Sequence, residues 1–251
     1  MAIIVFQHWN TGTAGRLGLT LRDHGFSLDI RRVDLPANHA EQRGLNVGVP
    51  TDFDNVHGVI VLGGPQNVTD ADKHAWMAAE LEFIKAAHLR ELPVIGVCLG
   101  HQMIAHALGG SVGPMDKPEI GFTRVKLAPP GQTETIMGGI GWDVPQYQSH
   151  GQEVKTLPPG AMSLASSAAC KIQAFKAGIR TYGFQYHFEL DRAAIDQYIA
   201  ADAQDMAKVG LSAAEITTQA QQHYEMFARS ADRLCVNLAT MLFPVARRHV
   251  V

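Results

Sequence analysis

Cysteine, histidine and glutamate can together build a nucleophilic hydrolysis, and two short segments of this sequence set them out for it. The first is Pro93-Val94-Ile95-Gly96-Val97-Cys98-Leu99-Gly100-His101-Gln102. A mostly apolar run enters Gly-x-Cys-x-Gly and a helix-compatible stretch follows at once, the pattern of a nucleophile elbow with cysteine at the turn. The flanking glycines leave room where a Cβ would collide with a neighbouring strand or helix. The departing helix aims its N-terminal partial positive charge at the sulfur, which favours thiolate over thiol. The second segment is Thr181-Tyr182-Gly183-Phe184-Gln185-Tyr186-His187-Phe188-Glu189, a strand ending in His-x-Glu. Residues two apart in an extended chain face the same way, so Glu189 can accept a hydrogen bond from His187. That fixes the imidazole tautomer, stabilises its charged form and leaves the other nitrogen for a nucleophile.

Two further segments supply what such a nucleophile needs around it. Val59-Ile60-Val61-Leu62 is a buried strand that breaks into Gly63-Gly64-Pro65-Gln66. An elbow requires a second backbone N–H, besides that of the residue after the nucleophile, to hold the developing oxyanion. The N–H groups of Gly64 and Leu99 form the natural pair. Tyr147-Gln148-Ser149-His150-Gly151-Gln152 reads as a short extended piece passing into a polar loop. Each segment alone also has a plain reading: a packed thiol, a surface histidine beside a solvated glutamate, a strand-ending turn, a polar loop.

Together the four segments resemble the class I, triad-type glutamine amidotransferases, in a stand-alone form like the glutaminase domain of GMP synthases. The similarity covers roughly residues 50–190, and the motifs follow in family order: GGPQ, the elbow PVIGVCLGHQMI, SHG, then HxE. The resemblance implies that Cys98 is the nucleophile, His187 the general base and acid, and Glu189 the orienting carboxylate. Gly64 and Leu99 would form the oxyanion hole. Gly63, Gln66, Gln102, Ser149, His150 and Gly151 would contact the substrate. The implied reaction is attack of Cys98 on the side-chain amide of glutamine, departure of ammonia protonated by His187, and hydrolysis of a γ-glutamyl thioester to glutamate. The sequence departs from the family in reading His187-Phe188-Glu189 where His-Pro-Glu is usual, and in carrying Gln66 where many members have Glu or Gly. A synthetase partner receiving ammonia is one implication. A stand-alone hydrolase of γ-glutamyl peptides or amides is a second, and a non-catalytic regulatory or binding protein on the same fold a third.

Composition agrees with an enzyme of this kind. The chain has 251 residues, 46% of them apolar, with a net charge of −3, enough for one large domain or a domain with an extension. No basic stripe marks a nucleic-acid surface. Cys98, Cys170 and Cys235 are odd in number and far apart, as befits a reducing, cytoplasmic compartment rather than a disulfide framework; the latter two read as packed thiols. No stretch reads as membrane-spanning, and the apolar start at Ala2–Phe6 is short and lacks a basic leader. Among twelve histidines, none falls in a metal-ligand pattern. No metal or cofactor is expected, and no nucleotide-binding P-loop occurs.

The elements that must position these residues alternate. Strands are expected at Ala2–Gln7, Ser27–Val33, Gly58–Leu62 and the elbow strand after Pro93. Helices are expected at Gly12–Gly25 and from an Asp70 or Asp72 cap through Arg90. Alternation of this kind predicts a parallel sheet covered on both faces, with ligands beyond the strands' carboxyl ends. Trp9, just past the first strand, could line the pocket mouth or belong to a plain turn. From about Ser111 strands are expected at Glu119–Leu127, Met162–Ser166, Lys171–Lys176 and Thr181–Gln185. After Asp191 the chain reads as two or three helices, with apolar stripes at Ile195, Tyr198 and Ile199 and at Leu234, Leu238, Met241 and Leu242, the latter ended by Pro244. The expected fold class is therefore α/β: a three-layer, flavodoxin-like, mostly parallel sheet with helices on both faces, extra antiparallel strands and a C-terminal helical extension. The expected domains are 1–190, the amidotransferase domain, and 191–251, a helical extension packed on it. Part of that extension would cover the site or build an oligomer contact. No room for a synthetase is expected after residue 190.

Overall fold

A computed structural model of the protein describes residues 2–36, 46, 48–201 and 203–243. Its strands are β1 (Ala2–Gln7), β2 (Leu28–Arg32), β3 (Val56–Val61), β4 (Val94–Val97), β5 (Ser111–Leu127), β6 (Asp143–Thr156), β7 (Met162–Ser166), β8 (Ala174–Ala177) and β9 (Thr181–Phe184). Its helices are α1 (Gly15–Asp23), α2 (Ala75–Leu89), α3 (Leu99–Ala107), α4 (Pro129–Thr133), α5 (Arg192–Ala201), α6 (Ala203–Val209) and α7 (Ala213–Asn237), which continues as a π-helical turn over Leu238–Leu242.

The strands form one sheet in the order β2-β1-β3-β4-β9-β8-β7-β5-β6. The first five pair in parallel; from β9 outward every pairing is antiparallel. The parallel strands are apolar on both faces, and their alternation splits the core in two. Ile3, Val5, Ile60, Ile95 and Val97 face α1 and the C-terminal helices through Leu17, Leu21, Leu234 and Leu238. Ile4, Phe6, Val59, Val61 and Val94 face α2 and α3 through Met77, Ile84, Met103 and Ile104. This is the three-layer α/β arrangement that the period-two pattern of the strands requires.

Several boundaries differ from those expected. The segment Val68–Lys73 forms a 3-10 turn, and α2 begins only at Ala75 behind His74, so neither Asp70 nor Asp72 caps it. Helix α1 starts at Gly15 rather than Gly12. The Ser149-His150-Gly151 segment is not a loop: it lies inside the long strand β6, paired with β5 through Glu119↔His150 and Ile120↔Ser149. Met241 is exposed whereas Leu234, Leu238 and Leu242 are buried. Pro244 lies outside the described residues. The start of α7 is fixed by a capping box in which the Ser212 hydroxyl accepts from the Glu215 N–H and the Glu215 carboxylate accepts from the Ser212 N–H.

Candidate active site

The three central parallel strands β3, β4 and β9 are neighbours, and each ends on residues that face one cavity. At the end of β4 the chain turns at Cys98 with φ 52° and ψ −106°, a conformation that side chains other than glycine rarely adopt. Two bonds hold it there: the Cys98 N–H donates to Phe184 O (2.8 Å), and the Cys98 carbonyl accepts from the Gln102 N–H (3.2 Å). Both flanking glycines are obligatory for space. A Cβ on Gly96 would collide with the Gly100 carbonyl, and one on Gly100 would collide with the Val61 carbonyl. Helix α3 therefore sits hard against β3 and β4, with its N-terminus at the sulfur.

Beyond β9, His187 and Glu189 return to the same place. His187 Nδ1 and Glu189 Oε1 are 2.7 Å apart, both residues buried. The backbone of Glu189 is clamped by the start of α1: its carbonyl accepts from the Arg16 N–H (2.8 Å), and the next carbonyl, Leu190 O, accepts from Arg16 Nε (3.1 Å). The His187 N–H donates to Tyr147 O of β6 (2.9 Å). Burial draws the imidazole pKa down, but the Glu189 carboxylate and the Cys98 sulfur outweigh it and hold the ring well above its ordinary value. The ring and the nucleophile candidate share one surface: a Cβ built on Gly63 would stand 3.0 Å from His187 Cε1 and 3.5 Å from Cys98 Cβ. The Cys98 thiol is directed at Ser149 O (3.8 Å), leaving His187 Nε2 without a hydrogen bond.

A cavity of about 570 Å³ opens over this group, and Gly64, Gln66, Cys98, Leu99, Gln102, Ser149, His150, Gly151 and His187 all line it. Neither Gly64 nor Leu99 donates its N–H to another backbone group among the described residues. Gly63 packs behind Cys98 and His187 and does not line the cavity. Gln66 folds back, its Nε2 donating to His8 O (3.1 Å). Trp9 joins the lining, so the turn after β1 is part of the wall. Cys170 and Cys235 are buried away from the cavity; burial raises both thiol pKa values, that of Cys170 to about 12. His101, inside α3, is driven by burial to about 3 and stays neutral. No cluster of three or more His, Cys, Asp or Glu side chains able to hold a metal occurs among the described residues.

Three lining residues come from beyond residue 191, and no local motif announces them. Tyr198 of α5 sets its ring edge-on to His187 (centroids 5.1 Å, 62°) and to Trp9 (5.2 Å, 81°). Ala201 and Lys208 continue the wall. Tyr198 is visible in the sequence only as one position of an apolar stripe; its approach to His187 depends on how α5 folds back over the sheet.

Known proteins share both the sequence pattern and the fold. A family model described as "Glutamine amidotransferase class-I" matches residues 17–204. The chain is 35% identical over 134 residues to the smaller, glutamine-hydrolysing component of a two-component GMP synthase from Thermococcus kodakarensis, a match covering 53% of this chain and 66% of that one. It is 36% identical over 141 residues to the corresponding component from Sulfolobus acidocaldarius, covering 55% and 69%. In Porphyromonas gingivalis the match, at 31% identity, covers 57% of this chain but only 26% of a longer glutamine-hydrolysing GMP synthase. The alignments thus span about two thirds of the shorter relatives and a quarter of the longer one. Over almost the whole chain the fold matches that of a glutamine amidotransferase from Thermotoga maritima, with TM-score 0.79 at 21% identity, covering 96% of this chain and 98% of that one. A glutamine amidotransferase from Methylobacillus flagellatus gives 0.78 at 24% identity, covering 94% and 93%.

Proposed function

The chain belongs to the class I glutamine amidotransferase family, and on that premise we propose that it hydrolyses the side-chain amide of glutamine through a γ-glutamyl thioester on Cys98. The observation that carries the reading is the convergence of a strained elbow cysteine, a buried imidazole of raised pKa and a carboxylate 2.7 Å from that imidazole, at the ends of adjacent strands. The Cys98 thiolate attacks the amide carbon. The N–H groups of Gly64 and Leu99 take the oxyanion as it forms, a contribution on the order of 10²–10³ in rate for each donor. His187, oriented by Glu189, protonates the departing ammonia and then takes a proton from the water that releases glutamate. Gln102 and the Ser149–Gly151 edge of β6 hold the amino-acid end of the substrate, with Gln66 and Gly63 framing the oxyanion turn.

We assign residues 1–190 to the amidotransferase domain and 191–251 to a helical extension on it. The relatives among the two-component GMP synthases suggest a synthetase partner that consumes the ammonia. Free cysteines throughout suggest the cytoplasm, and no helix among the described residues is long and apolar enough to cross a membrane. A second reading has one observation in its favour. The cavity runs past His187 to Ala201 and Lys208, which is room for a leaving group larger than ammonia, as in a γ-glutamyl peptide or amide.

The test is a panel of glutamine, γ-glutamyl dipeptides and γ-glutamyl alkylamides, assayed with the wild-type chain and with Cys98→Ala. Ammonia from glutamine, lost in Cys98→Ala, together with a γ-glutamyl adduct on Cys98 in intact-mass spectra, supports the first reading. Selective release of amines from larger γ-glutamyl compounds supports the second. Turnover that survives Cys98→Ala refutes both.

A further inference from the structure

The antiparallel half of the sheet buries a chain of polar side chains to which the reaction above gives no task. Glu119 on β5 is the cross-strand partner of His150 on β6, and it is 6% exposed. Its Oε2 accepts from Gln173 Nε2 (2.7 Å) and faces His150 Nε2 at 3.2 Å, while its Oε1 accepts from the Thr123 hydroxyl (2.9 Å). Burial pushes the Glu119 carboxyl up, but the hydrogen bond and charge of His150 outweigh it and hold the group below its ordinary value. On its other side the His150 ring donates from Nδ1 to Gln152 O (2.9 Å).

That same carbonyl accepts from Gln102 Nε2 (3.1 Å), which also donates to Gln185 Oε1 (3.1 Å). Both protons of the Gln102 amide nitrogen are therefore committed to protein acceptors. What the side chain has left to offer the cavity is its carbonyl oxygen, an acceptor only. Stability alone does not ask for this arrangement, since a buried charged pair is often replaceable by packed apolar residues at no loss. A relay that begins at a buried carboxylate and ends on a cavity-lining amide instead fixes which way that amide faces.

We infer that Glu119 is a positioning residue: through His150 and the Gln152 carbonyl it holds the Gln102 oxygen toward the cavity and so sets a preference for substrates with an ammonium group on the α-carbon. The inference rests on the proposed role of Gln102 in holding the substrate. It is tested by binding, so that turnover is not needed. In the Cys98→Ala protein, ligand-detected NMR titration compares L-glutamine with its des-amino analogue, 4-carbamoylbutanoate. The unaltered relay should favour glutamine on the order of tenfold or more, the worth of one hydrogen bond to a charged group. Glu119→Gln should remove most of that preference, by weakening glutamine and leaving the des-amino ligand unchanged. A purely structural role would weaken both ligands alike. If Glu119→Gln does not fold, His150→Asn carries the test, because it cuts the relay one bond nearer to Gln102. An unchanged preference in a folded variant, or equal binding of the two ligands before any relay substitution, overturns the inference. Binding of neither ligand overturns the substrate reading as well.

Discussion

The strain at Cys98 can be measured without knowing the substrate. With φ 52° and ψ −106°, the residue occupies backbone territory that costs a side chain roughly 1–3 kcal/mol. The cost is sustained because the Cys98 N–H and C=O are tied to Phe184 and Gln102. Cys98→Ala keeps the Cβ and hence the strain; Cys98→Gly releases it. Both lose the thiol, so every effect of the sulfur and of its interaction with His187 cancels between them. Against the release stand the greater unfolded-state freedom of glycine, roughly 0.5–1 kcal/mol, and the burial lost with one carbon, at most about 0.8 kcal/mol. Taking the middle of each range, the glycine variant should be the more stable by about 0.5 kcal/mol, reaching about 1 kcal/mol where the Cβ is only half buried. Urea denaturation of the two variants, with a common m-value, gives the difference directly. The control is Cys235, buried in the middle of α7, where Gly should fall below Ala by about 1 kcal/mol. If Ala is also the more stable residue at 98 by about 0.5 kcal/mol or more, the ordinary order, the elbow stores no strain of the size argued.

The remaining predictions concern the imidazole and its supports. Glu189→Gln removes the largest of the influences that raise the His187 pKa; kcat should fall by about 10⁴, the cost found when a triad carboxylate becomes an amide. The same variant has a signature in stability against pH. A raised histidine pKa contributes stability that is fully present below the unfolded value of about 6.5 and is lost as pH rises through the folded value. The stability gap between wild type and Glu189→Gln should therefore be wider at pH 6 than at pH 9, and a gap that widens with rising pH would contradict the assignment. Tyr198→Phe keeps the ring edge against His187 and should retain kcat within about threefold, whereas Tyr198→Ala empties a buried aromatic site at a cost of about 3–5 kcal/mol and should lower kcat at least tenfold. Steady-state ammonia release and thermal unfolding of the two variants separate these outcomes.

How much can be read from the sequence follows from how local each signal is. The elbow is written in five consecutive residues because its constraints are steric and near: Gly96 against Gly100, and Gly100 against the adjoining strand. His187 and Glu189 are legible for the same reason, two positions apart on one extended segment. The parallel strands announce themselves as apolar runs, and their alternation implies two faces. The Ser149–Gly151 segment reads as a loop because its polar side chains are satisfied across strands, His150 by Glu119 and Gln148 by Gln173, and polarity without alternation looks like a turn. The late start of α2 is hidden because aspartates that cap helices also suit 3-10 turns. Tyr198 and Glu119 carry no local signal at all: each meets its site through a contact fixed by tertiary packing.

The two halves of the sheet therefore bear on different steps. The parallel half puts Cys98, the Gly64 turn and His187 at adjacent strand ends, where backbone bonds and glycine contacts fix them with little help from side-chain chemistry. The antiparallel half reaches the cavity through amide, imidazole and carboxylate side chains whose orientation depends on one another. Substitutions in the first half that leave the backbone in place should act on the chemical step and be felt in kcat. Those in the second should act on which amino acid is held, and be felt in KM and in the choice between ligands. A Glu119 variant that lowered kcat while leaving KM and ligand preference intact would show that this division is drawn in the wrong place.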